Sequence, residues 1–139
     1  MKAGVTEKEN DGKEGMMRKI LIVDDDREVL DITKRRLMQA DFEAMTASSG
    51  QEALDICKTN RPDLILLDIA IPQMDGYDTC GKIKQNAKTR DIPILFVTGK
   101  GLLPEGIEKH CRDLGACGYI SKPFEMKELL EKITEVLGP

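Results

Sequence analysis

The sequence predicts an α/β domain built on a doubly wound, five-stranded parallel sheet, and three observations carry that expectation. Short apolar runs at 19–23, 42–47, 64–68, 94–97 and 117–121 alternate with five stretches of helical periodicity. The segments joining successive runs are too long for hairpins, which requires right-handed crossovers that place helices on both faces of one sheet. The run at 64–67, Leu-Ile-Leu-Leu, has no alternation, as expected of a strand buried on both sides. A chain of 139 residues suffices for one such domain and is too short for two ordinary ones.

Residues 1–17 are polar, charged and punctuated by glycine, with little to bury, so they are expected to form a disordered extension preceding a domain at 18–139. The first strand, Ile20 to Val23 with Lys19, stops in Asp24, Asp25 and Asp26. Over 27–40, Leu30, Thr33 and Leu37 recur at helical spacing with Val29 beside them. After the 42–47 strand, Ser48, Ser49 and Gly50 open a helix carrying Ala53, Leu54 and Cys57, and Asn60, Arg61 and Pro62 end it. The third helix, 77–86, turns Cys80 and Ile83 inward. The fourth strand follows Pro93 and stops at Thr98. The glycine-rich loop at 99–106 is expected to be mobile ahead of a helix starting near Pro104 and carrying Ile107, Cys111 and Leu114. The fifth strand ends at Lys122 and Pro123, and a last helix over 125–137 shows Met126, Leu129, Leu130, Ile133 and Leu137 at amphipathic spacing.

Composition narrows the chemistry. With 21 basic and 25 acidic side chains the net charge is -4, which argues against nucleic acid held by bulk electrostatics. No apolar run approaches the roughly 18 residues a membrane span needs. Cys57, Cys80, Cys111 and Cys117 lack short paired spacing and the sole histidine is His110, so a zinc site is not expected. All four cysteines read as small buried hydrophobes in a reduced, cytoplasmic protein without a signal peptide.

In an open α/β sheet the carboxyl ends of the strands border the binding crevice. Here those ends bring Asp24 and Asp25, Asp68, Thr98 and Lys122 to one edge. Singly, each has a plain structural explanation: a turn, a cap, a strand-end hydroxyl, a surface charge. Together they form a chemical set. Crowded carboxylates repel unless a cation neutralises them, and oxygen-only ligands suit Mg2+. A hydroxyl and an ammonium suit phosphoryl oxygens, with Asp68 as the nucleophile.

The motifs Ile20 to Asp25 (ILIVDD), Pro62 to Asp68 (PDLILLD), Ile71 to Gly76 (IPQMDG), Pro93 to Thr98 (PILFVT) and Gly115 to Phe124 (GACGYISKPF) closely resemble the receiver domain of two-component response regulators. The resemblance covers about 18–137 and implies a flavodoxin-like fold with strand order 2-1-3-4-5. It implies that Asp68 accepts phosphate from a sensor histidine kinase or phosphotransfer protein. Asp25 and Asp68 would bind Mg2+ directly, Asp24 mainly through water, and the backbone carbonyl of Ala70 would complete the set. Thr98 and Lys122 would bind the phosphoryl oxygens, and Tyr119 falls at the aromatic position that turns inward with the Thr hydroxyl. Output would pass through the face of the fourth helix, fifth strand and fifth helix to a protein partner, with no direct nucleic-acid contact.

Two departures stand out. Ala70 and Lys100 lack the amide or acid side chains that position a hydrolytic water, which implies slow self-hydrolysis. The stretch between Thr98 and Lys122 is about two residues longer than in typical members, which affects the start of the fourth helix. With only Gly138 and Pro139 after the last helix, the chain reads as a single-domain regulator or an excised receiver. An aspartate-nucleophile phosphatase is the rival enzyme reading, but its usual second acid is replaced by Ala70. A phosphorylation-independent scaffold of the same fold is the rival binding reading. A flavin or nucleotide binder ranks below both, because no glycine-rich phosphate loop follows the first strand.

Overall fold

The computed structural model describes residues 17–99 and 104–138. The extension up to residue 16, and Lys100 with the rest of 100–103, lie outside the described residues. In chain order the elements are β1 (Lys19–Val23), α1 (Arg27–Gln39), β2 (Glu43–Ala47), α2 (Gly50–Thr59), β3 (Leu64–Asp68), α3 (Gly76–Gln85), β4 (Ile94–Thr98), α4 (Pro104–Leu114), β5 (Gly118–Ser121) and α5 (Met126–Leu137). All strand pairs are parallel, and the order across the sheet is β2-β1-β3-β4-β5. Five helices and this order form the flavodoxin-like arrangement that the resemblance implies.

Alternation along the strands builds two cores. Leu21, Val23, Ile65, Leu67, Ile94 and Phe96 face α2, α3 and α4, meeting Ala53, Cys57, Cys80, Ile83, Ile107 and Cys111. Their neighbours Ile20, Ile22, Leu64, Leu66, Leu95, Val97 and Ile120 face α1 and α5, meeting Leu30, Leu37, Leu129 and Ile133. The central strands β3 and β4 are buried along their whole length, which is why their sequences carry no polar alternation.

Local chemistry fixes where each helix begins. Asp26 caps α1 by accepting from the Glu28 and Val29 amides, Ser49 caps α2 by accepting from Glu52 N, and Asp75 caps α3 by accepting from Asp78 N. The α4 helix closes at Gly115, whose φ of +78° suits glycine, and Ala116 N donates back to Cys111 O. Tyr77 of α3 stacks on His110 of α4 with ring centroids 3.9 Å apart and meets Phe96 of β4 edge-on, tying the two helices to the sheet.

Two strand starts shift from expectation, and the ends of α1, α3 and α5 differ from it by one residue. Phe42 lies before β2, where its amide is already used by Leu37 O at the end of α1, and Cys117 lies before β5. Cys117 also departs from the buried reading of the cysteines: it is exposed, whereas Cys57, Cys80 and Cys111 are buried. It leads into an edge strand, one residue before the pairing with β4 begins. At the far end of the sheet, Arg18 Nη1 donates to Leu137 O (2.7 Å) and Gly138 O (3.3 Å), fastening the end of α5 beside the start of β1. Among the described residues no helix is long and apolar enough to cross a membrane.

Candidate functional site

The parallel register carries β1, β3, β4 and β5 to a common edge. Asp24 follows β1, Asp68 ends β3 opposite Val97, and Thr98 ends β4 opposite Ser121, with Lys122 next along the chain. Backbone bonds hold these ends in place, from Asp24 N to Ala47 O and from Lys122 N to Thr98 O. The peptide between Lys122 and Pro123 is cis.

Three carboxylates gather there. Each of Asp24, Asp25 and Asp68 offers an oxygen within 4.8 Å of the others; Asp24 and Asp68 are buried and Asp25 is exposed. Asp68 is only 5% exposed. Its Oδ1 accepts from Ala70 N at 2.9 Å and its Oδ2 from Lys122 Nζ at 2.9 Å. The same ammonium reaches Asp24 Oδ2 at 2.7 Å, while Asp24 Oδ1 accepts from Asp26 N. Lys122 therefore bridges the two buried acids.

Burial pushes the Asp24 carboxyl above its ordinary value; the bonds from Lys122 and the Asp26 amide work against this, and the Asp68 charge adds to it. Burial also pulls the Lys122 ammonium down, but its two carboxylate partners outweigh that and leave it above the usual lysine value. The donor set of hard carboxylate oxygens around a partly open edge fits a divalent oxygen-seeking cation such as Mg2+.

The chain matches the family described as "Response regulator receiver domain" over residues 20–134. It belongs to the response regulator receiver family. As a class, receiver domains pair with histidine kinases and generally bind Mg2+. Among solved structures, the chemotaxis protein CheY4 of Vibrio cholerae superposes with a TM-score of 0.81 at 30% identity, covering 87% of this chain and 99% of that one. A putative response regulator from Chloroflexus aurantiacus gives 0.81 at 34% identity, covering 88% and 99%. Among curated relatives, the "Probable transcriptional regulator ycf27" of Cyanophora paradoxa is 38% identical over 120 residues, or 86% of this chain and 48% of that protein. The "DNA-binding dual master transcriptional regulator RpaA" of Synechocystis is 33% identical, covering 87% and 49%. The receiver thus spans about half the length of these curated relatives.

Not every candidate residue converges on the acids. Thr98 is 1% exposed at the same edge, but its hydroxyl donates to Ser121 Oγ at 3.3 Å. Tyr119 lies opposite Phe96 in the register and packs, partly buried, against the core on the α2, α3 and α4 side. The Ala70 side chain is exposed beyond Asp68.

Two neighbours of the site escaped the sequence reading of site residues. Ser121 carries no pattern of its own, and its signal is the β4–β5 register that sets it beside Thr98. Gly76 lies against the back of Asp68. A Cβ there would stand 2.5 Å from Asp68 O and 2.7 Å from Ile69 Cα, and backbone atoms cannot yield as a flexible side chain could. Its amide meanwhile donates to Ile69 O, holding the β3–α3 loop close under the acid.

Proposed function

We propose that this receiver is a phosphorylation-dependent signalling switch whose Asp68 accepts a phosphoryl group from the phosphohistidine of a sensor kinase or phosphotransfer protein. The observation that carries the reading is the buried Asp68 carboxylate, held at one oxygen by the Ala70 amide and at the other by Lys122. An Asp68 oxygen forms the new bond to phosphorus as the donor's phosphorus–nitrogen bond breaks, and the released imidazole takes up a proton. The Lys122 ammonium offsets the charge that builds at this edge, as it already does for two carboxylates. Asp25 and Asp68 would hold Mg2+ directly, Asp24 mainly through water, and the backbone carbonyl of Ala70 would complete the set; the ion would neutralise the phosphoryl oxygens.

Thr98 then donates its hydroxyl to a phosphoryl oxygen, and Tyr119 follows inward on the neighbouring strand. The change would be read on the face of α4, β5 and α5 by a protein partner. Relatives carrying transcriptional-regulator names extend well beyond the matched span.

The test is incubation with a small phosphodonor and Mg2+, followed by intact mass measurement. A gain of one phosphoryl group in the wild type, none in Asp68→Asn and none with a chelator is expected. No gain in the wild type overturns the proposal. Multiple turnover of small phosphate esters would instead favour a phosphatase.

A further inference from the structure

We propose that Ser121 is a positioning residue that holds the Thr98 hydroxyl in a resting rotamer and releases it when Asp68 is phosphorylated. The inference rests on the switch proposed above and assigns it a counterweight. Thr98 and Ser121 are Cα partners at the last rung of the β4–β5 pairing, so their side chains leave the same face of the sheet. The Thr98 hydroxyl is almost completely buried, and its hydrogen bond among the described residues goes to Ser121 Oγ. A buried hydroxyl needs a partner in either state of the switch. Ser121 serves in the resting state and a phosphoryl oxygen in the other.

The two partners of this bond differ in what they lose. Ser121 is exposed, so water replaces Thr98 at its oxygen as soon as the bond breaks. At 3.3 Å the bond is longer than the usual hydroxyl pair of about 2.5–3.0 Å, which makes a tether that is cheap to release. Lys122 N is bonded to Thr98 O at 2.7 Å and ties the backbones of the two strand ends together, so the Thr98 hydroxyl turns by rotation of its own side chain, away from the Ser121 oxygen. The side-chain bond therefore has to break when the hydroxyl turns toward Asp68.

Removing the Ser121 hydroxyl deprives the resting rotamer of its acceptor and shifts the population toward the phosphoryl-ready one. With a small phosphodonor and Mg2+, Ser121→Ala is expected to phosphorylate roughly twofold to fivefold faster than wild type, the range expected for one weak neutral hydrogen bond. Ser121→Thr, which keeps a hydroxyl, restores the wild-type rate. In a Thr98→Ala background the Ser121→Ala change has no further effect. Three-bond couplings across the Thr98 χ1 angle, measured without any donor, report one dominant rotamer in wild type and a mixture in Ser121→Ala.

Unchanged couplings and rate in Ser121→Ala overturn the tether, as does an effect that persists without the Thr98 hydroxyl. The donor-free couplings keep this outcome separate from failure of the switch itself, which is read by wild type gaining no phosphoryl group.

Discussion

At Asp24 burial outweighs the bonds from Lys122 and the Asp26 amide, so the carboxyl is harder to ionise than in the unfolded chain. Because its folded pKa lies above the ordinary value, the associated stability is complete below about pH 4 and is lost as pH rises through the raised folded value. At neutral pH and without divalent ions, Asp24→Asn is therefore expected to raise the thermal midpoint and flatten its pH dependence; a lower midpoint in melts with chelator would contradict this. Ala70 presents only a methyl group beside Asp68, with nothing to orient an attacking water. If Asp68 is phosphorylated, Ala70→Asn should shorten the lifetime of the acyl phosphate several-fold, followed by loss of the mass gain with time. The thiols divide by environment. Burial pushes Cys57 and Cys80 up to about 11 and also raises Cys111, whereas Cys117 is exposed. Alkylation of native protein at pH 8 should label Cys117 alone, and the other three after denaturation. The acids and Lys122 were legible in the sequence because charge at the end of an apolar strand is conspicuous. Ser121 was not, because a serine there is ordinary until the register sets it against Thr98.

Among the elements, the loop from β3 into α3 bears most directly on the site. Gly76 N bonds Ile69 O and the glycine's bare Cα faces the Asp68 carbonyl, so the backbone turns tightly under the acid. Gly76→Ala is expected to cost about 1–3 kcal/mol by overpacking, measured by urea denaturation, and to displace Asp68 as well. The helices were legible because their periodicity is strong and their caps are conventional. Asp26, Ser49 and Asp75 each stand where a polar residue precedes an apolar-periodic stretch. The seam of α3 with α4 was not legible, since stacking Tyr77 on His110 depends on how two helices cross, not on either helix's own pattern. The edge strand β5 begins at Gly118 and not at Cys117, and the sequence does not mark the difference, because an apolar residue beside a strand looks alike whether it pairs or merely leads in.

For the whole molecule, alternating short strands and amphipathic helices fixed a parallel doubly wound sheet. The neighbour order β2-β1-β3-β4-β5 did not follow from periodicity, since strands buried on both faces give no local sign of who lies beside whom. It came with the family resemblance. The molecule is also fastened at the pole away from the acids. Arg18 donates to the last carbonyls of α5, so Arg18→Ala is expected to lower stability by about 1 kcal/mol and to speed amide exchange in the final turn of that helix. Unaltered exchange there would show that the clasp contributes nothing. Because β1 and α5 meet at that clasp, Met17 and Gly138 leave the domain on one side. A short bridge from Gly138 to Met17 would close the backbone into a ring without passing over the acidic rim, and the chain could be reopened at an exposed turn as a circular permutant with the reaction edge intact.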